Sequence, residues 1–229
     1  MKRLKGYFSR FEKGLWLFSV LLIAGAFCIF DRSNYLTLFA SLLGVTSLLF
    51  NAKGNPVGQL LMVIFSFLYS LISYSFSYYG EMITYLGMTM PMAVFALVTW
   101  LKNPYKGRKS EVRVETIGKK EVLFMGLTAG VVTVVFYFVL EHFKTASMIP
   151  STISIATSFL AAYLTFRRNP YFALAYAAND IVLIVLWTIA AADDMRYLSV
   201  IVCFFAFFIN DVYGFVSWRN MKQRQAANL

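Results

Sequence analysis

The sequence predicts an all-α polytopic membrane protein of eight transmembrane helices, and three observations predict it. Hydrophobic residues make up 59% of the 229-residue chain and charged residues only 14%, more apolar surface than a water-soluble core could bury. Eight apolar segments are separated by polar gaps, most of them near or above the ~20 residues that cross a bilayer core. Lys and Arg fall in alternate gaps: with the N-terminus inside, the inside segments carry 5, 1, 7, 2 and 3 of them in order, 18 of the 21. Arg32, Lys144 and Arg196 are the outside remainder. That bias predicts both ends in the cytoplasm, with the basic gaps against anionic inner-leaflet lipid.

The first segment, Leu15–Phe30, follows the basic stretch Met1–Gly14 and resembles a signal peptide. No small-x-small cleavage site precedes Asp31, so it reads as a retained helix. Tyr35–Phe50 and Val57–Tyr79 flank SLLFNAKGNPVGQLL, where Asn55-Pro56 ends one span and opens the next. Proline in the first turn of a helix costs no hydrogen bond, and the residue before it is pushed out of the α region. Ile83–Leu101 contains Pro91, expected to bend the helix where backbone groups could line a cavity. The longest gap, Lys102–Glu121, reads as a solvated cytoplasmic linker, although its alternating VRVET could form a short strand. Val122–Leu140 is the fifth span. Ile149–Phe166 and Tyr171–Ala192 flank AYLTFRRNPYFALAY around Asn169-Pro170, and Tyr197–Trp218 is the eighth.

Three features recur in one order: a basic residue before Asn-Pro, an outer connection to a third span, and a closing tryptophan (Trp100, Trp218) before cytoplasmic basic residues. They predict two parallel three-helix units at 35–101 and 149–218, a 1 + (3 + 1 + 3) arrangement. Residues 1–34 then form a basic N-terminus with an accessory helix, 102–148 a linker with its own helix, and 219–229 a basic cytoplasmic tail. Parallel repeats of this kind occur in transporters whose substrate site lies near the midplane at the repeat interface.

Ionisable side chains at bilayer depth are costly and normally face a cavity or a partner. Asn179 and Asp180 fall near the middle of the seventh segment, Asn210 and Asp211 just cytoplasmic of the middle of the eighth, and Gln59 one turn into the third. Helical spacing places Asn179, Leu183 and Trp187 on one face, and Phe207, Asn210, Asp211, Gly214 and Trp218 on another, with Tyr213 beside it. Tyr85, Thr89 and Met92 share a side of the fourth segment, and Phe65 and Tyr69 lie on the third. The expectation is a midplane pocket whose rings stack a flat solute and whose amides meet its polar rim; the alternative is interhelical glue and gap filling. Trp100 and Trp218 are expected in the interfacial belt. Glu81, Asp193 and Asp194 fall at outside turns, where hydration is expected.

The net charge of +10 follows from the positive-inside pattern, and no basic stripe with exposed aromatics suggests nucleic acid. Cys28 and Cys203 lie within apolar spans and read as packing residues. His142 stands alone, so no metal site or cofactor is expected. No HExxH, GxSxG or phosphate-cradling glycine loop points to catalysis, which sets aside a lipid-modifying enzyme.

The residues NAKGNPVGQLL, YYGEMITYLGMTMP, WLKNPYKG and the block NDIVLIVLWTIAA…FFINDVYGFVSW together resemble the PnuC-type vitamin transporters, whose best-known members move nicotinamide riboside. The resemblance spans roughly Tyr35–Met221. It implies the 3 + 1 + 3 fold shared with the SWEET sugar transporters, residence in a bacterial cytoplasmic membrane, and facilitated diffusion with cytoplasmic phosphorylation trapping the vitamin. It also implies that Trp187, Asn210 and neighbouring aromatics line the pocket. Relatives carry thiamine or riboflavin, so the substrate is left as a small vitamin, most naturally nicotinamide riboside. Its cationic ring could stack on Trp187, with Asp211 or Asp180 offsetting the charge. Proton coupling through either carboxylate is the alternative mechanism, and the sequence leaves room for a homo-oligomer.

Overall fold

The computed structural model describes residues 6–75, 78–145 and 147–228; Lys2, Arg3 and Lys5 of the basic N-terminus, and Phe76 and Ser77 of the third predicted span, lie outside the described residues. Among those described, the eight predicted spans are eight helices: α1 (Arg10–Phe30), α2 (Tyr35–Ala52), α3 (Pro56–Ser75), α4 (Tyr79–Lys102), α5 (Lys119–His142), α6 (Met148–Phe166), α7 (Tyr171–Ala191) and α8 (Leu198–Ala226). Helix α1 starts earlier than its apolar run because Ser9 and Glu12 form a reciprocal capping box, which satisfies two N-terminal donors. Helix α8 continues well past Trp218, so most of the predicted tail is helical.

Helix α4 is interrupted. Its α-helical turns Tyr79–Thr84 and Met90–Lys102 are joined by a π-helical turn, Tyr85–Thr89, closed by the Met90 N–H donating to Tyr85 O. Pro91 follows directly. A proline ring inside a helix collides with the carbonyl four residues back, and the widened turn accommodates it there. The bend expected from Pro91 is therefore a π bulge, a feature common at functional sites.

The spans make a closed ring. Helix α2 packs on α3, α3 on α4, α4 on α6, α6 on α7, α7 on α8, and α8 back on α2. Helix α1 lies outside, over the seam between α2 and α8, and α5 lies outside against α6. Both leave most of their apolar surface uncovered by protein, as lipid-facing helices do.

The two Asn-Pro turns are built alike. In the first, the Asn55 N–H donates to Phe50 O (3.0 Å), the Gly54 N–H to Asn51 O (2.9 Å), and the Val57 N–H to the Asn55 side chain (3.0 Å). In the second, the Asn169 N–H donates to Leu164 O (3.0 Å), the Arg168 N–H to Thr165 O (3.0 Å), and the Tyr171 N–H to the Asn169 side chain (3.1 Å). The residue before each Asn is left-handed, Gly54 at φ +64° and Arg168 at φ +54°; for a non-glycine that costs about 1 kcal/mol or more.

The linker expected as a solvated loop is instead a docked hairpin. Strands β1 (Pro104–Tyr105) and β2 (Arg108–Val112) pair antiparallel, and Val112 is buried. The Val112 N–H donates to Gly54 O (2.9 Å) and the Glu115 N–H to Arg168 O (3.0 Å). One extended segment thus bonds to both turns through the carbonyls of their two left-handed residues.

Candidate functional site

The centre of the ring is a narrow cleft to which all six ring helices contribute and α1 and α5 do not. Leu48 comes from α2, Met62 and Phe65 from α3, Tyr85 and Thr89 from α4, and Ser158 from α6. Helix α7 gives Tyr176, Asn179 and Asp180, and α8 gives Phe204, Phe207 and Asp211. No Lys or Arg is among these lining residues. The Asn179 side-chain oxygen accepts hydrogen bonds from Thr157 Oγ1 (2.7 Å) and Ser158 Oγ (3.0 Å), which fixes the amide so that its NH2 group points away from α6. Asp180 and Asp211, from neighbouring helices, bring two carboxyl groups to this one cleft. Ionised carboxylates only accept, so two of them in so small a space favour a donor or a cation between them. Asp180 Oδ2 and Thr89 Oγ1 are buried without a hydrogen-bond partner in the protein.

The cleft is closed down on itself. Its cavity volume is about 20 Å³, room for about one water molecule. Drug-sized ligands occupy pockets of about 300–1,000 Å³, so the cleft as it stands is too small for one.

Aromatic layers shut the cleft at both ends. On the side away from the linker, Trp187 donates its indole N–H to Tyr69 Oη (2.9 Å), with Tyr78 4.7 Å and Tyr197 5.4 Å from the Trp187 ring. Tyr69 stacks on Phe65 (5.6 Å) and lies 4.3 Å from the Tyr85 ring, so this layer rests directly on the cleft lining. On the linker side, Trp100, Trp218 and Phe172 form a second cluster, with the two tryptophan rings 5.3 Å apart and Phe172 4.9 Å from Trp218. The Trp100 indole donates to Thr165 O (2.9 Å) and the Trp218 indole to Asn51 O (2.7 Å). Each closing tryptophan thus binds the equivalent carbonyl of the opposite Asn-Pro turn. The expected interfacial belt is not where they sit; both are fully buried, because the hairpin and Val112 cover that end.

Of the residues singled out from sequence, Asp211, Asp180, Asn179 and Thr89 line the cleft, with Phe65, Tyr85 and Phe207. Trp187 and Tyr69 lie one layer outward. Asn210 turns away: its amide donates to Ser19 Oγ on α1 (2.8 Å) and to Ala206 O (2.8 Å). Tyr213 donates to Glu12 Oε1 (2.7 Å), beside the Lys53–Glu12 ion pair at 3.0 Å. Gln59 donates to Asn51 Oδ1 (2.8 Å) beneath the linker-side cluster. These three hold helices together where they stand.

Glu81 is the clearest departure. Expected to be hydrated, it is buried at 1% exposure with Oε2 unpartnered, because the first turn of α4 tucks against α3. Asp194 behaves as expected: it caps the short 3-10 turn, and hydrogen bonds from Arg196 hold its carboxyl below the usual range. Ser158, Tyr176 and Phe204 were not singled out from sequence. Tyr176 precedes Asn179 and Asp180 by three and four residues, and Ser151, Ser154 and Ser158 share one buried face of α6. Both are helical-period signals for the inward face.

A family model described as nicotinamide mononucleotide transporter matches residues 34–220. The nicotinamide riboside transporter PnuC of Neisseria mucosa is 26% identical over 229 residues, covering 98% of this chain and 87% of the relative. The fold is similar to the crystal structure of the vitamin B3 transporter PnuC, with a TM-score of 0.83 at 23% identity over 95% of this chain and 94% of that one.

Proposed function

This chain belongs to the nicotinamide mononucleotide transporter family, and on that footing we propose that it carries nicotinamide riboside through the six-helix ring, with the Asp180–Asp211 cleft as the binding site. Two carboxyl groups share the ring centre with no basic residue in the lining, and that charge carries the reading. A pyridinium ring supplies the cation such a pair calls for. Nicotinamide mononucleotide adds a phosphate, which these walls offer nothing to neutralise, so the riboside fits better than the nucleotide of the family description. The name of the Neisseria mucosa relative points the same way. Asn179 and Thr89 meet the polar rim of the solute, and Phe65, Tyr85 and Phe207 its faces, at about 0.5–2 kcal/mol for a cation over a ring.

Two three-helix units, α2–α4 and α6–α8, related about an axis along the membrane normal, account for the matched turns and the crossed tryptophan bonds. Helix α5 is then the connector and α1 an accessory. The linker face is cytoplasmic, from the charge bias, in a bacterial cytoplasmic membrane. Transport is facilitated diffusion, and cytoplasmic phosphorylation keeps the free vitamin low inside. Thiamine, whose thiazolium is also cationic, is the second reading; riboflavin is neutral and gains nothing from the carboxyl pair.

Uptake of labelled nicotinamide riboside into proteoliposomes holding the purified chain tests this. Saturable uptake is expected, equal with and without a pH gradient, competed by the riboside and not by the mononucleotide. Uptake that follows the pH gradient would establish proton coupling, and better competition by thiamine would reassign the substrate.

A further inference from the structure

The linker face carries a second cavity, outside the ring and of opposite polarity to the cleft. It measures about 490 Å³ and lies between the linker and the end of α8, with Arg113, Arg168 and Lys222 in its wall beside Glu115, Asn103 and Gln225. Arg168 is the unusual member. Its side chain is only 9% exposed, and its Nε and Nη1 are buried without partners, while Nη2 pairs with Glu115. Its backbone is left-handed at φ +54°, where the equivalent residue of the other Asn-Pro turn is Gly54. Glycine would suit that conformation at no steric cost, so the arginine is there for its side chain. Arg113 and Lys222 are exposed and have no ion-pair partner among the described residues.

We propose that this cavity binds a phosphate group, with Arg168 as the buried anchor and Arg113 and Lys222 closing on it from the linker and from α8. Guanidinium groups match phosphate oxygens with charge-assisted donors, and Arg168 brings two unspent ones, Nε and Nη1, on the two edges either side of the Nη2 that holds Glu115. Three cations face one carboxylate, and that carboxylate is already engaged by Arg168 and, at 3.7 Å, by Arg167. The phosphate comes either from an anionic lipid headgroup, the end of α8 lying at the face that carries the basic segments, or from a free phosphate compound in solution. Bound there, it ties the linker to the second Asn-Pro turn and to α8, the elements that close the linker-side end of the cleft.

The test uses the full chain in phosphatidylcholine nanodiscs and reads its thermal midpoint, so it stands apart from transport. One arm adds inorganic phosphate against chloride at equal ionic strength; the other replaces phosphatidylcholine with phosphatidylglycerol. A rise in the first arm identifies free phosphate as the source and a rise in the second the headgroup. The rise should be lost in Arg168→Gly, whose glycine suits the backbone, and reduced in Lys222→Gln, with Kd for the effective probe raised roughly 10-fold or more in Arg168→Gly, the scale of one charge-assisted bond. Arg219→Gln, which removes an equal charge outside this cavity, should keep the full rise. No rise in either arm for the parent, or a rise that Arg219→Gln reduces as much as Arg168→Gly does, overturns the proposal.

Discussion

Replacing Asp211 by Asn separates charge from shape at the centre of the cleft. The amide keeps the volume of the side chain and can donate to Asp180, so the contact between α7 and α8 survives while one acid is removed. Two unit charges about 4 Å apart interact by about 4 kcal/mol at the effective dielectric of ~20 suited to such sites. Asp180 faces the same space and takes over part of the balance, which leaves a loss of about 2 kcal/mol for a pyridinium. That is roughly a 30-fold rise in Kd. Calorimetry on the purified chain should show this rise for nicotinamide riboside and almost none for its reduced, uncharged dihydro form, which has the same ribose and carboxamide. Asp180→Asn should behave alike. Equal losses for the charged and uncharged ligands, or an unchanged affinity for the charged one, would refute the electrostatic reasoning.

Asn210→Ala removes a bond to Ser19 on α1 and should lower stability by about 1 kcal/mol while leaving riboside affinity unchanged, which thermal unfolding and calorimetry read separately. Gly58→Ala places a Cβ 2.2 Å from Asn51 Oδ1 and 2.7 Å from the Asn51 backbone nitrogen; with backbone in the way it should destabilise by about 1–3 kcal/mol, seen as a lowered thermal midpoint. Trp100→Phe and Trp218→Phe each delete one crossed indole bond at the linker-side end. Each should cost about 1–2 kcal/mol, by similar amounts if the two turns are equivalent.

The spans were legible because their signal is one-dimensional: a bilayer demands long apolar runs and charges sort between its faces. Facing was harder, and the Asn210–Asp211 pair shows why. Adjacent residues on a helix point about 100° apart, so both can face one cleft, as Asn179 and Asp180 do, or only one of them, as here. Asp211 meets the cleft and Asn210 meets α1. A helical wheel gives the angle between them but not which direction is inward, since that depends on where α1 docks. Trp100 and Trp218 show the same limit in depth. Their position beside basic residues fits a belt, but the hairpin covers that end, and each indole donates to a carbonyl of the opposite Asn-Pro turn. Glu81 stood at the end of an apolar run, which suggests water; the tuck of α4 onto α3 is a tertiary fact with no local signature. On α7 the period carried Asn179 and Asp180 inward, and the same period extends back to Tyr176, which was not singled out from sequence.

The most direct test of the central claim is a structure of the chain determined with nicotinamide riboside bound. The account predicts ligand density at the ring centre, with the pyridinium within salt-bridge reach of Asp180 or Asp211 and the rings of Phe65, Tyr85 and Phe207 displaced to admit it. Density in the Trp187 layer or against Asn210, with the Asp180–Asp211 cleft still closed, would contradict it.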